Sequence, residues 1–341
     1  MSERLEDIAA AMVTAGKGIL AADESSGTIK KRFDSINAES TEDNRRDYRE
    51  MLFRSTEAME NHISGVILFD ETLRQKAADG TPLVDIIKAT GAVPGIKVDG
   101  GAKALAGHPG ETVTEGLDGL RDRLNEYHGL GARFAKWRGV IAIAGDLPTG
   151  ASVRANAHAL ARYAALCQEA GIVPIVEPEI QMDGSPGNHS IDRCYDVSEW
   201  VLRTVFAELY DARVNLEGIV LKPNMVIDGS NARKASVDEV AEKTVRCLRA
   251  TVPASVPGIA FLSGGQNDEE ATAHLSAMNA AYDLPWKLTF SYGRALQAAC
   301  LKAWGGKPEN VAAGQRAFAH RARMNGLAAT GNWNSDLEKA A

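Results

Sequence analysis

Lys222 closes the run LEGIVLKPNM, in which Leu216, Ile219, Val220 and Leu221 lead into one lysine before Pro223 and Asn224 break the pattern. An amine at the exit of a buried strand sits where desolvation can lower its pKa and leave it neutral enough to attack a carbonyl. Lys222 is therefore a candidate Schiff-base lysine, and a strand-end lysine reaching for solvent is the plainer reading of the same residue. In FAKWR, residues two apart share one face of a strand, so Lys136 and Arg138 point one way and Trp137 the other. In VEPE, Glu177 and Glu179 share a face likewise. Lys136 near Lys222 would disfavour the ammonium form by like-charge repulsion. Glu177, as a carboxylate of raised pKa, would give and take the protons of carbinolamine formation and dehydration. Asp23 and Lys97 close two earlier runs, while Ser263-Gly264-Gly265 and Ser291-Tyr292-Gly293-Arg294 close the last two. Those last two supply backbone N–H groups, hydroxyls and a guanidinium suited to a phosphate. Thr28, Lys31 and Arg32, just past the first run, can hold a second anion.

The elements that must position these residues recur along the chain. GILAADES starts at Gly18, GVILFDET at Gly65, VPGIKVD at Val93 and ARFAKWR at Ala132. IVPIVEPE starts at Ile172, LEGIVLKP at Leu216, GIAFLSGG at Gly258 and KLTFSYGR at Lys287. Segments of helical composition lie between them, such as RANAHALARYAALCQEAG and VDEVAEKTVRCLRATV. Most intervals are roughly 30–45 residues, the scale of a βα unit. Eight such units predict an α/β fold, a (β/α)8 TIM barrel, with chemistry gathered at the C-terminal ends of its strands. A doubly wound open sheet is the alternative, but no GxGxxG follows a first strand. No Pro- or Ser-rich linker or composition shift divides the chain, so residues 1–341 read as one domain. From about Ala328 the periodicity fades, which predicts a short loose tail. Charges on the inward face of an apolar barrel must be paired or functional, and their gathering at one end of five or more strands reads as an active site.

Of the 341 residues, 45% are hydrophobic and 24% charged, a mix that can bury a sizeable core. A net charge of −7 argues against a nucleic-acid partner, because phosphate backbones select basic surfaces. No stretch approaches the ~20 apolar residues of a membrane span, and MSERLEDIAAAM is unlike a signal or transit peptide. Cys167, Cys194, Cys247 and Cys300 are far apart, with no CxxC pair, and read as free thiols of a reducing, cytoplasmic setting.

Taken together, the segments resemble the class I (Schiff-base) fructose-1,6-bisphosphate aldolases of the higher-eukaryote type. The matching segments are GKGILAADES, NRRDYRE, GVILFDETL, GIKVD, TEGLDGL, FAKWR, ARYAALCQ, GIVPIVEPEI, LEGIVLKPNM, FLSGGQ, FSYGRALQ and KAWGGK. The resemblance runs from about residue 3 to residue 330. It implies reversible cleavage of fructose 1,6-bisphosphate to dihydroxyacetone phosphate and glyceraldehyde 3-phosphate, in glycolysis and gluconeogenesis, with no metal and no cofactor. It further implies a homotetramer whose partner is a small sugar bisphosphate. By the same resemblance Lys222 forms the imine, Glu177 moves protons, and Asp23 takes the C4-hydroxyl proton with Lys136 close to both. Glu179 would hold Lys222 or Lys136. Ser263, Gly264, Gly265, Gly293 and Arg294 would bind one phosphate, and Lys31, Arg32, Lys97 and Arg138 the other phosphate or the hydroxyls.

Several positions depart from the animal pattern. Members of that type end in a flexible tail whose terminal tyrosine assists proton exchange on the enamine. Here the last tyrosine is Tyr292, and Trp333 is no chemical substitute. Thr28 replaces a serine, Gly100 a lysine, and Asp70 a histidine. A metal-dependent aldolase is the nearest rival, yet the seven histidines are scattered, with no HExxH. A Schiff-base barrel acting on another sugar phosphate keeps the lysine but not the whole motif set. A scaffold role on cytoskeletal filaments is a further reading, to which the acidic balance lends nothing.

Overall fold

The computed structural model describes residues 3–183 and 187–339. The chain-order strands are β1 (Gly18–Ala22), β2 (Ile63–Leu68), β3 (Val93–Lys97), β4 (Ala102–Ala104), β5 (Thr112–Thr114), β6 (Phe134–Ala142), β7 (Val173–Gln181), β8 (Val220–Leu221), β9 (Gly258–Phe261) and β10 (Lys287–Tyr292). Eight of them close into a ring in the order β1-β10-β9-β8-β7-β6-β3-β2, every pair parallel. Each barrel strand lies within one of the eight apolar runs, extended by two residues at the start of β2, by four past the end of β6 and by two past the end of β7. Parallel strands buried on both faces need such near-continuous apolar sequence.

Side-chain alternation sorts the residues into two layers. Phe134 of β6, Val173 and Ile175 of β7, Val220 and Ala260 fill the barrel interior, together with Ile8 and Met12 from the helix Leu5–Met12 and Val13 just after it, which close the end opposite the strand C-termini. Trp137, Val176, Ile180 and Leu221 face outward into the larger layer under the helices, where Trp137 packs on Tyr163 with ring centres 5.6 Å apart. The interior is tight enough that a Cβ on Gly95 would stand 2.3 Å from the Phe134 ring. The inward series of β6 thus continues Phe134, Lys136, Arg138, and that of β7 Ile175, Glu177, Glu179. Apolar floor becomes charged mouth within two residues.

Three features differ from the sequence reading. The sixth run makes only a two-residue strand, because Leu216–Gly218 coils into a 3-10 turn and Pro223 follows Lys222 at once. Lys222 still extends the ladder through its N–H, which donates to the Val176 carbonyl at 2.8 Å. The hairpin β4–β5 has strands of three residues, too short to show a period, and it lies across the end of β6. Thr114 donates its hydroxyl to the Arg138 carbonyl at 2.6 Å and Thr112 to that of Val140 at 3.2 Å. Finally, the stretch after Ala328 is not loose through Lys339. The Glu338 carboxylate accepts from Arg321 at 2.7 and 2.6 Å, from His320 at 3.0 Å and from the Trp333 indole at 3.0 Å. Few apolar residues mark the segment because polar bonds, not periodic burial, hold it. All four cysteines are free and buried.

Candidate active site

A cavity of about 490 Å³ opens at the C-terminal ends of the strands. Among the residues on its wall are Asp23 after β1, Lys97 of β3, Lys136 and Arg138 of β6, Glu177 and Glu179 of β7, and Lys222 after β8. Ser263, Gly264, Ser291, Gly293 and Arg294 complete it on the far side, with Thr28 and Arg32 above β1.

At the base lies a chain of alternating charges. Lys222 Nζ is 3.1 Å from Glu177 Oε1, Glu177 Oε2 is 3.5 Å from Lys136 Nζ, and Lys136 Nζ is 2.7 Å from Asp23 Oδ2. Asp99 Oδ2 lies 3.9 Å from the same ammonium and Asp99 Oδ1 2.9 Å from Lys97 Nζ. Lys222, Lys136 and Glu177 are all buried. Burial would raise the proton affinity of Asp23, but the ammonium groups of Lys136, Lys222 and Lys97 outweigh it and hold the carboxyl well below its usual range. Burial would likewise lower that of Lys136, and Asp23, Glu177 and Asp99 reverse the effect, leaving a firmly held cation.

Glu177 stands between the two amines of Lys136 and Lys222, with one carboxylate oxygen toward each. The neighbour that matters is a carboxylate within reach of the Lys222 proton. The role expected of Glu179 changes: it pairs with Arg138 at 3.1 Å rather than with either lysine. Burial, reinforced by Glu177, lifts its proton affinity above the usual glutamate range despite Arg138.

Around the rim, Gly293 caps the helix Arg294–Trp304, whose N–H groups face the mouth. A Cβ on Gly293 would stand 3.3 Å from Arg32 Nη2 and 3.4 Å from the Ala21 carbonyl. Arg32 therefore lies against the Gly293 side, tied to Glu24, rather than at a separate far anchor. Lys31 sits on the exposed face of the helix Ser26–Asp34 and is not part of the wall. Gly265 also turns away, its N–H directed to Asp183 at 3.3 Å. Two buried polar atoms of wall residues, Ser291 Oγ and Glu177 Oε2, have no hydrogen-bond partner among the described residues, although the Lys136 ammonium faces the latter at 3.5 Å. Such atoms carry a desolvation cost that a bound ligand can relieve.

Residues 4–341 match the family model described as fructose-bisphosphate aldolase class-I. The chain belongs to the class-I fructose-bisphosphate aldolase family. It is 58% identical over 333 residues to a probable fructose-bisphosphate aldolase class 1 of Xanthomonas axonopodis pv. citri, covering 97% of this chain and 98% of that one. Identity is 55% over 331 residues to the cytosolic fructose-bisphosphate aldolase 6 of Arabidopsis thaliana, covering 97% and 91%. A solved Plasmodium falciparum fructose-bisphosphate aldolase, in ternary complex with TRAP and a small-molecule inhibitor, matches with a TM-score of 0.93 at 49% identity, covering 97% of this chain and 95% of that one. By family the chain is thus a lyase of glycolysis, class I and metal-independent.

The aldolase site also contains residues the sequence reading passed over. Asp99 ends the same run as Lys97, two positions on and hence on the same face. Glu24 follows Asp23 but turns behind it: its carboxylate takes Arg32 and the Gln297 amide at 3.0 Å, and its carbonyl takes Arg49 at 3.0 Å. Asp70, without a role in the sequence, accepts the Tyr127 hydroxyl at 2.9 Å and braces Arg74.

Proposed function

We propose that this cavity cleaves fructose 1,6-bisphosphate through an imine on Lys222, with the residues above in defined roles. The observation that carries the reading is the unbroken path Lys222–Glu177–Lys136–Asp23. Glu177 takes a proton from Lys222, and the free amine adds to the C2 carbonyl. Glu177 then returns a proton to the carbinolamine hydroxyl, which leaves as water. Asp23, held ionised, takes the C4-hydroxyl proton as the C3–C4 bond breaks. Its electron pair moves into the iminium to give the enamine, and glyceraldehyde 3-phosphate departs. Protonation at C3 and hydrolysis of the imine release dihydroxyacetone phosphate and restore the amine. Lys136 stays charged and steadies Asp23 and Glu177 in turn.

Ser263, Gly264, Ser291, Gly293 and Arg294 would take one phosphate on backbone N–H groups, hydroxyls and a guanidinium. Lys97, Arg138 and Thr28 would meet the other phosphate and the hydroxyls, with Arg32 between the two. The setting we propose is a cytoplasmic homotetramer. Relatives in Arabidopsis thaliana and Spinacia oleracea are named cytosolic and cytoplasmic, and no described helix is long and apolar enough to cross a membrane. Sedimentation gives the subunit number.

Borohydride added with dihydroxyacetone phosphate tests the mechanism. Mass spectrometry should find a reduced adduct on the peptide carrying Lys222, absent from Lys222→Met. Inactivation by EDTA with no adduct would overturn it.

A further inference from the structure

Behind the phosphate loop lies a second cavity, of about 630 Å³, which shares only Asp183 and Arg294 with the catalytic one. The loop Ser263–Gly264–Gly265–Gln266 is the partition: Ser263 and Gly264 face the reaction, Gly265 and Gln266 face away. Only glycine fits at position 265, where φ is +77° and a Cβ would stand 2.5 Å from Met182 Cβ and 3.0 Å from Ile227 Cδ1.

Gln266 is only 4% exposed, yet it lines this cavity, and its Nε2 has no acceptor among the described residues. Its Oε1 is engaged by His274 Nδ1 at 2.6 Å, so the side chain cannot turn away without breaking that bond. A buried donor left open costs free energy until an acceptor arrives. Two helices begin at the same place, Val237–Thr251 and Asp268–Ala281, and their positive ends favour a negative acceptor.

The charged side chains divide unequally. Four acids line the cavity, each already engaged within the protein: Asp228 accepts from the Ile191 and Ala235 N–H groups at 2.8 and 3.0 Å, Glu270 closes the capping box with Asn267, Asp183 accepts from the Gly265 N–H at 3.3 Å, and Asp268 has the Arg321 and Arg294 guanidinium groups as its neighbouring charges. The cations Arg233, Lys234 and Arg294 are each more than half exposed, in surface pairs that exchange at little cost. Arg294 Nη2 already turns this way, donating to the Gln266 carbonyl at 3.3 Å.

We propose that this cavity is a regulatory site for a small phosphate-bearing anion. The anion accepts from Gln266 Nε2 and is flanked by Lys234 and Arg294. Because Arg294 serves both cavities, an anion here draws it from the substrate and raises KM without entering the catalytic space. That consequence rests on the role proposed for Arg294 in substrate binding; occupancy of the cavity does not.

Equilibrium dialysis with inorganic phosphate separates the two. The wild-type enzyme should bind one more phosphate per chain than Gln266→Leu, and Lys234→Ala should bind that phosphate about tenfold more weakly, the loss of one charge-assisted hydrogen bond. Both variants should keep the wild-type KM in phosphate-free buffer and show weaker inhibition by phosphate. Equal stoichiometry and equal inhibition in all three proteins would overturn the proposal. Lys234 is a surface residue, so its variant remains informative even where Gln266→Leu folds poorly. Loss of the extra phosphate with unaltered inhibition would refute the link through Arg294 alone.

Discussion

Replacing Lys136 with methionine removes one ammonium from among three carboxylates, at 2.7 Å from Asp23, 3.5 Å from Glu177 and 3.9 Å from Asp99. Glu177 keeps Lys222 and Asp99 keeps Lys97, so Asp23 is the group that loses its close ion-pair partner, with Lys222 and Lys97 acting on it from farther off. Removing one partner of a buried pair costs about 3–5 kcal/mol. At ~2.1 cal/mol/K per residue, this chain of 341 residues has an unfolding entropy near 0.7 kcal/mol/K, so Tm should fall by about 4–7 °C at neutral pH. The sign of the pH dependence is the sharper test. In the wild type the lowered proton affinity of Asp23 contributes stability that is complete above its ordinary value of 3.8 and is lost as pH falls below it. The raised affinity of Lys136 contributes stability present below 10.5 and lost as pH rises through its folded value. Without Lys136, burial dominates at Asp23 and the acid form is favoured in the folded state. Acidification from pH 8 toward pH 5 should therefore narrow the gap between variant and wild type. Scanning calorimetry across that range, with turnover in parallel, provides the measurement. Turnover should fall by roughly 10²–10³, as for loss of a fixed group that stabilises charge at the reacting centre. A Tm deficit that stays constant with pH, or is absent, would refute the claim that Lys136 is the shared counter-ion of this cluster.

Further outcomes follow from other parts of the molecule. Buried His274 has its pKa lowered to about 4 from an ordinary 6.5, chiefly by burial, so the unfolded chain takes up a proton first as pH falls. About 3 kcal/mol of stability should be lost between those two values, and His274→Gln should flatten that part of the curve. Glu338→Gln weakens the bonds from Arg321, His320 and Trp333, each charge-assisted; calorimetry should show a Tm drop of about 3 °C, corresponding to roughly 2 kcal/mol, with kcat unchanged. Gly293→Ala sets a methyl 3.3 Å from Arg32 Nη2 and should raise KM for fructose 1,6-bisphosphate more than it lowers kcat. Equal effects on both would remove Gly293 from phosphate binding.

The barrel was legible because its strands are buried on both faces and announce themselves as apolar runs. The site was legible where alternation carries an apolar strand into charge, as from Phe134 to Lys136 and from Ile175 to Glu177. Partnerships were not. Sequence period places Glu177 and Glu179 on one face, but only the stagger between neighbouring strands decides that Glu177 meets the lysines while Glu179 meets Arg138. The same limit applies past β1, where one helical step separates Arg32 in the wall from Lys31 outside it. Asp99 was within reach of the pattern and was overlooked beside Lys97. The clasp on Glu338 had no period to betray it, since its partners Arg321 and Trp333 are brought together by the fold of the last helix and the turn after it.

The helix Leu5–Met12 has a consequence for how the chain is made. It leaves the ribosome ahead of every barrel strand, yet much of its seat is built from residues synthesised far later. Gly218 has room for Leu5 only because it lacks a side chain, a Cβ there standing 3.0 Å from Leu5 Cβ, and Gly258 receives Val13 in the same manner at 2.7 Å. A nascent chain shorter than this has nowhere to put Met12 and Val13, which are buried in the finished protein. The opening segment must therefore wait, apolar and unsheltered, through most of translation. Contacts of such long sequence separation slow folding and lengthen exposure to aggregation. Birth order and docking order run opposite ways in this barrel, and chaperone demand should be greatest before residue 258 emerges.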